Sequence, residues 1–198
     1  MSTAVIGSGP LAAALAERLA GEWIAGAGAL APGRSGVVVV VGALPTPVLA
    51  ELTSLELDAW MAAAEAPLEE LLRTLQAARR ALSPDGGRIV VVVPTLGLAG
   101  ADLLVPLATL TEGARAMAKS AARQWSGDGV GVNVVAVPVA TIVPELAGAT
   151  RHLAPPVVGD DDALLASIAA ATRLLLSSDA VAIAGETVVV DGGSVMAP

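Results

Sequence analysis

Three stretches of the chain repeat valine or isoleucine almost without interruption: SGVVVVVGA at 35–43, GGRIVVVV at 86–93 and GVGVNVVAV at 129–137. A strand with one wet face alternates apolar and polar residues, so runs of this kind belong to strands covered on both faces. Covering a sheet on both sides takes helices, and the segments at 10–21, 57–82, 107–125 and 161–178 are Ala/Leu-rich with helical spacing. TAVIG (3–7) reads as a further buried strand, EWIAGAG (22–28) as a weaker one and ETVVVDGG (186–193) as the last. The chain therefore reads as one α/β domain over 1–198, a Rossmann-like, doubly wound parallel sheet of about six strands. Pro10 suits the first turn of its helix, and Pro67 predicts a kink or break within 57–82.

Several classes of function are disfavoured at once. The chain has no cysteine, so disulfides, thiolate nucleophiles and Cys-based metal sites are out. Its one histidine, His152, sits in the Pro-rich stretch ATRHLAPP and makes no metal site alone; no metal is expected. A net charge of −8 disfavours nucleic acid and anionic membrane. No apolar run is long enough for a membrane span, and MSTAVIGSGP lacks the basic start of a signal peptide, so a cytoplasmic protein is expected. Asp160, Asp161 and Asp162 precede an apolar helix, where carboxylates cap and meet the helix dipole, and Asp191 reads as a turn aspartate. Ser8 and Ser194 have no base in view to activate them.

The first strand runs into Gly7-Ser8-Gly9-Pro10-Leu11-Ala12, which fits G-x-G-x-x-A in the strand–turn–helix setting that the dinucleotide motif requires. Gly7, Gly9 and Ala12 are thus the candidate cofactor-binding positions. The carboxylate expected about 20 residues on, which would hold the ribose, is absent: no Asp or Glu occurs between Trp23 and Ala50. Arg34 is the only charge there, either a solvated loop residue or a partner for a 2′-phosphate. A glycine turn that merely packs helix on strand explains the same pattern.

From Gly86 onward the chain resembles the short-chain dehydrogenase/reductase family, its 3-oxoacyl reductase-like members above all. The resemblance rests on GGRIVVVVPTLGLAG, ARAMAKSAARQWSGDGVGVNVVAVP and LLLSSDAVAIAGETVVVDGGSVM, in that order and spacing, and LELDAWMAAAEAPLEELL looks like the family's Asp-x-Trp helix. It implies a tyrosine as general acid/base, a lysine that lowers the tyrosine's pKa and holds the ribose, a serine that orients the carbonyl and an asparagine in a proton relay. Ungapped matching puts Leu107 at the tyrosine, Thr111 at the lysine, Pro94 at the serine and Pro67 at the asparagine. None can do the family's work, and no shift of register supplies a tyrosine, because the chain has none. The family also places two helices and a strand where this chain has only ALAPGRSG (29–36). The resemblance with that deletion implies six parallel strands in the order 2-1-4-5-6-7 by the family's numbering.

These departures lead to the expectation of a catalytically inactive homologue with NAD(P) binding lost and no cofactor. It would serve as a structural or regulatory subunit in a homo- or hetero-oligomer with a catalytically intact relative. In the family the helices matching 57–82 and 107–125 pair across a two-fold axis. Ala114, Ala118 and Ala122 are accordingly the interface candidates, with Ala108 beside them, and Glu112, Arg115, Lys119 and Arg123 read as the rim or solvated face. The alternatives are an NAD(P)-dependent oxidoreductase acting on a ketone or 3-oxoacyl thioester through an unorthodox site, and a small-ligand binding module.

Overall fold

The computed structural model describes residues 2–42, 47–149, 153, 155–157 and 159–195. Six strands form one sheet: β1 (Thr3–Ile6), β2 (Glu22–Ile24), β3 (Gly36–Val40), β4 (Gly87–Pro94), β5 (Val130–Val137) and β6 (Thr187–Val189). Every pairing is parallel and the spatial order is β2-β1-β3-β4-β5-β6, the order expected once a strand is lost after the second. The valine runs lie side by side, Val38 opposite Val90 and Val91 opposite Val134. These residues are fully buried, as strands covered on both faces must be.

Seven helices flank the sheet among the described residues: α1 (Pro10–Arg18), α2 (Leu57–Trp60), α3 (Ala66–Ala81), α4 (Leu96–Ala99), α5 (Val105–Trp125), α6 (Val139–Ile142) and α7 (Asp161–Leu176). Helices α3 and α5 pack together, as do α1, α6 and α7. The α3–α5 approach depends on Gly113, where a Cβ would lie 2.6 Å from Leu68 Cδ2. Pro67 does not break its helix. A π-type segment, Met61–Glu65, precedes it, and the Ala66 N–H reaches back to the Met61 carbonyl. Proline inside regular helix clashes with the carbonyl four residues earlier, and the widened turn lets the chain run on from α2 into α3.

The second strand is shorter than the sequence suggests. It ends at Ile24, and beyond it Gly26 precedes a 3-10 turn at Ala27–Ala29 that lies against α3. No strand forms over 29–34; Arg34 makes only an isolated bridge with Leu82. Arg34 instead clamps the shortened connection. Its guanidinium pairs with Glu22 and donates to Ser2 Oγ at 3.2 Å and to the Ala31 carbonyl at 3.3 Å, with its side chain only 10% exposed. Both readings of Arg34 from sequence are thereby corrected. It is not solvated, and because it precedes β3 and pairs with the start of β2, it lies at the sheet end opposite the glycine turn.

Other polar residues behave as local chemistry requires. Asp160 caps α7 by accepting from the Asp162 and Ala163 N–H groups, and Asp162 pairs with Arg18. Asp191, buried, accepts from the N–H groups of Gly193 and Val195 and shapes the last turn. Asn133, fully buried in the third valine run, donates to the Ile183 carbonyl and accepts from the Glu186 N–H, which pins the loop ahead of β6.

Candidate functional site

The glycine turn is built as the sequence implies. Gly7 follows β1 so closely packed on β3 that a Cβ there would lie 3.0 Å from Val40 Cβ and 3.5 Å from that of Ala12, which is itself fully buried. Gly9, at φ +86°, turns the chain into α1, with Pro10 in the first helical turn. The turn is also engaged by the protein itself: the Trp23 indole N–H donates to the Gly7 carbonyl at 3.0 Å. These glycines thus have a packing role that needs no nucleotide.

A cleft of about 240 Å³ opens beside the turn, between the ends of β1 and β3 and helix α3. Ile6, Val39, Val40, Val41 and Leu71 give it apolar walls, and Gly7, Ser8, Gly26, Gly42 and Pro67 complete much of its rim. Among the described residues its one charged lining group is Glu70, one helical turn ahead of Thr74, which also lines it. Sequence reasoning looked for a carboxylate at the end of the second strand and missed this one on α3. The available signal was the i, i+4 spacing of Glu70 and Thr74 on the helix face that also buries Leu71, Leu75 and Ala78.

The four positions matched to the family's catalytic groups do not converge on open space. Pro94 ends β4 and Leu107 lies in the first turn of α5, only 2% exposed. Both abut Gly42, where a Cβ would lie 3.2 Å from Pro94 Cγ and 3.4 Å from Leu107 Cδ1. Thr111, fully buried, turns its hydroxyl back onto the Leu107 carbonyl at 2.9 Å. Helix α4 crosses directly over it: a Cβ on Gly97 would lie 2.8 Å from Thr111 Cγ2. Pro67 lies apart from this plug, on the neighbouring cleft. The plug offers no group that titrates and no free donor.

The interface candidates are corrected. Ala114 and Ala118 are fully buried within the single chain and Ala122 is 3% exposed; all three belong to the central core. Small residues on α5 serve close approach of helix to sheet, so a partner cannot reach them. Arg115 is likewise no solvated rim residue: it is held by both oxygens of Glu112 at 2.7 and 2.6 Å and donates to Thr187 Oγ1 at 3.3 Å. Lys119 and Arg123 remain exposed and line a groove with Gly185 and Glu186. Leu57, Met61 and Leu72, along the stretch from α2 to α3, are among the large apolar side chains left exposed. His152 lies outside the described residues. Among the described residues no cluster of three His, Cys, Asp or Glu suits a metal ion, and no helix is long and apolar enough to cross a membrane.

The comparisons with known proteins agree with this architecture. The family model described as enoyl-(acyl carrier protein) reductase matches residues 20–195. A solved structure described as a short-chain alcohol dehydrogenase from Sinorhizobium meliloti is similar over 98% of this chain and 97% of its own, with a TM-score of 0.69 and 16% identity. At that identity the likeness is one of fold. No curated protein matches the sequence.

Proposed function

We propose that this chain, which belongs to the short-chain dehydrogenase/reductase family through its enoyl-(acyl carrier protein) reductase model, is a non-catalytic member acting as a structural or regulatory subunit beside an intact relative. The observation that carries the reading is the packed plug of Pro94, Leu107 and Thr111 against Gly42 and α4. Reduction of a carbonyl needs a proton donor within hydrogen-bond reach of the developing alkoxide. A chain with no tyrosine, and with leucine at the matched position, offers none there. Loss of NAD(P) binding belongs to the same reading. The Trp23 indole bonds to the Gly7 carbonyl, the lysine position holds a buried threonine, and among the described residues the cleft beside the turn presents a carboxylate and no cation.

The subunit role draws on exposed apolar side chains along the stretch from α2 through the π-type segment to α3, where Leu57, Met61 and Leu72 are 71%, 50% and 47% exposed. Exposed apolar groups gathered on one face favour association. Two measurements test the proposal. Calorimetric titration with NADH and NADPH should give no saturable heat, and assays of ketone and acyl-thioester reduction should give no turnover. Light scattering on the chain, alone and mixed with an intact relative from the same host, should give an oligomer. Micromolar cofactor binding, or a monomer under both conditions, overturns it.

A further inference from the structure

The cleft beside the glycine turn has features that neither packing nor a dinucleotide explains. Thr74 is 5% exposed and lines the cleft, and its hydroxyl, which bonds to no described residue, is still open to solvent. One turn earlier on the same helix face, Glu70 lines the same cleft and pairs with no cation among the described residues; the neighbouring Arg73 is held by Glu69. A hydroxyl that faces a cleft from an otherwise buried residue is free to bond a ligand or a water. Helix α3, which follows the π-type segment at Met61–Glu65, places exposed Glu70 and buried Thr74 one turn apart along the cleft, and such segments gather at functional sites.

The chemistry of the lining selects the ligand. Apolar walls with a few placed polar groups are the usual form of a small-molecule site. Here the polar groups are a carboxyl group and a hydroxyl that both donates and accepts. No lysine, arginine or histidine among the described residues lines the cleft. A phosphate or carboxylate would meet Glu70 uncompensated, whereas an ammonium would gain a charge-assisted hydrogen bond from it. We propose that this cleft binds a small primary amine with an apolar body, its ammonium held between the Glu70 carboxylate and the Thr74 hydroxyl and its body laid against Val40, Val41 and Leu71. The proposal does not rest on the subunit reading: an amine site is compatible with a partner chain or with none.

Three probes of similar shape and different charge, phenethylamine, phenethyl alcohol and 3-phenylpropionate, make the test, with adenosine as a fourth, nucleoside ligand. Each is titrated into the full chain and followed by amide NMR, where Gly7, Gly26 and Gly42 report from the cleft itself. Phenethylamine should saturate and shift these three glycines, while the alcohol binds at least tenfold more weakly and the anion does not saturate. Glu70→Gln, a change at an exposed position, should keep the fold by circular dichroism and weaken the amine at least tenfold; Thr74→Val should weaken it severalfold. The proposal is overturned if the amine fails to saturate, if the anion binds as tightly, or if Glu70→Gln leaves amine affinity unchanged. Saturation by adenosine with none by the amine reassigns the cleft to a neutral nucleoside and overturns it equally.

Discussion

A double substitution, Leu107→Tyr with Thr111→Lys, returns a phenol and an ammonium to the positions where the family's reductases have them. In a vestigial but open site the pair would settle in and restore some cofactor affinity; in a packed core it must do damage. Leu107 is 2% exposed and its Cδ1 is 3.4 Å from where a Gly42 Cβ would sit, a point that Pro94 also crowds at 3.2 Å. An added ring overpacks such a site at a cost of about 1–3 kcal/mol. A phenol oxygen left there without a partner costs about 1–3 kcal/mol more. At position 111 the threonine is fully buried under α4, and the adjacent carboxylate, Glu112, is already engaged with Arg115. An unpaired ammonium in that place costs on the order of 3–5 kcal/mol. Together these terms are comparable with the whole stability of a domain, about 5–15 kcal/mol. The double variant should lose most of its urea midpoint, read by circular dichroism and tryptophan fluorescence, and should show no turnover with NADH or NADPH. A folded variant with the wild-type midpoint, above all one that binds NADPH, would refute the reasoning, because it would mean that the plug opens at little cost.

Ala118→Glu should act on the fold and not on association: a carboxylate in the core beneath α5 costs several kcal/mol, roughly the penalty for an unpaired buried charge, so the melting temperature should fall at every protein concentration. Arg34→Met removes the pair with Glu22 and the bonds to Ser2 and Ala31. It should lower stability by about 1–3 kcal/mol, with the amides of β2 losing hydrogen-exchange protection first. Asp160→Ala strips the cap of α7 and should cost about 1 kcal/mol in urea titration.

The parts of this fold that were legible in the sequence are those governed by period and by backbone chemistry. Val37–Val41, Ile89–Val93 and the run around Val134 cannot form half-wet strands, and parallel strands buried on both faces leave few topologies once crossovers are right-handed. Asp160 and Asp191 were legible because capping and turn chemistry are local. Boundaries were poorer where local preference is weak: Gly26 and Gly28 shorten the second strand to Glu22–Ile24, and Pro67 was absorbed by a π-type turn that no periodicity announces.

Burial is what the sequence left undecided, and burial settled the remaining readings. Ala114, Ala118 and Ala122 satisfy two hypotheses equally, since small residues let a helix approach another helix or its own sheet, and only the fully buried state of the first two inside one chain separates them. Arg34 was one charge in an eight-residue loop by sequence, and its meaning came from Glu22 and Ser2, which are distant along the chain. The same holds for the cleft. A search of the first fifty residues for a ribose carboxylate follows the family's wiring, in which the acidic group ends the second strand. Here the connection between β2 and β3 is short, α3 stands directly beside the glycine turn, and a helix residue supplies the carboxylate instead. Glu70 and Thr74 are ordinary on a helical wheel and become a candidate site only because α3 stands beside the glycine turn.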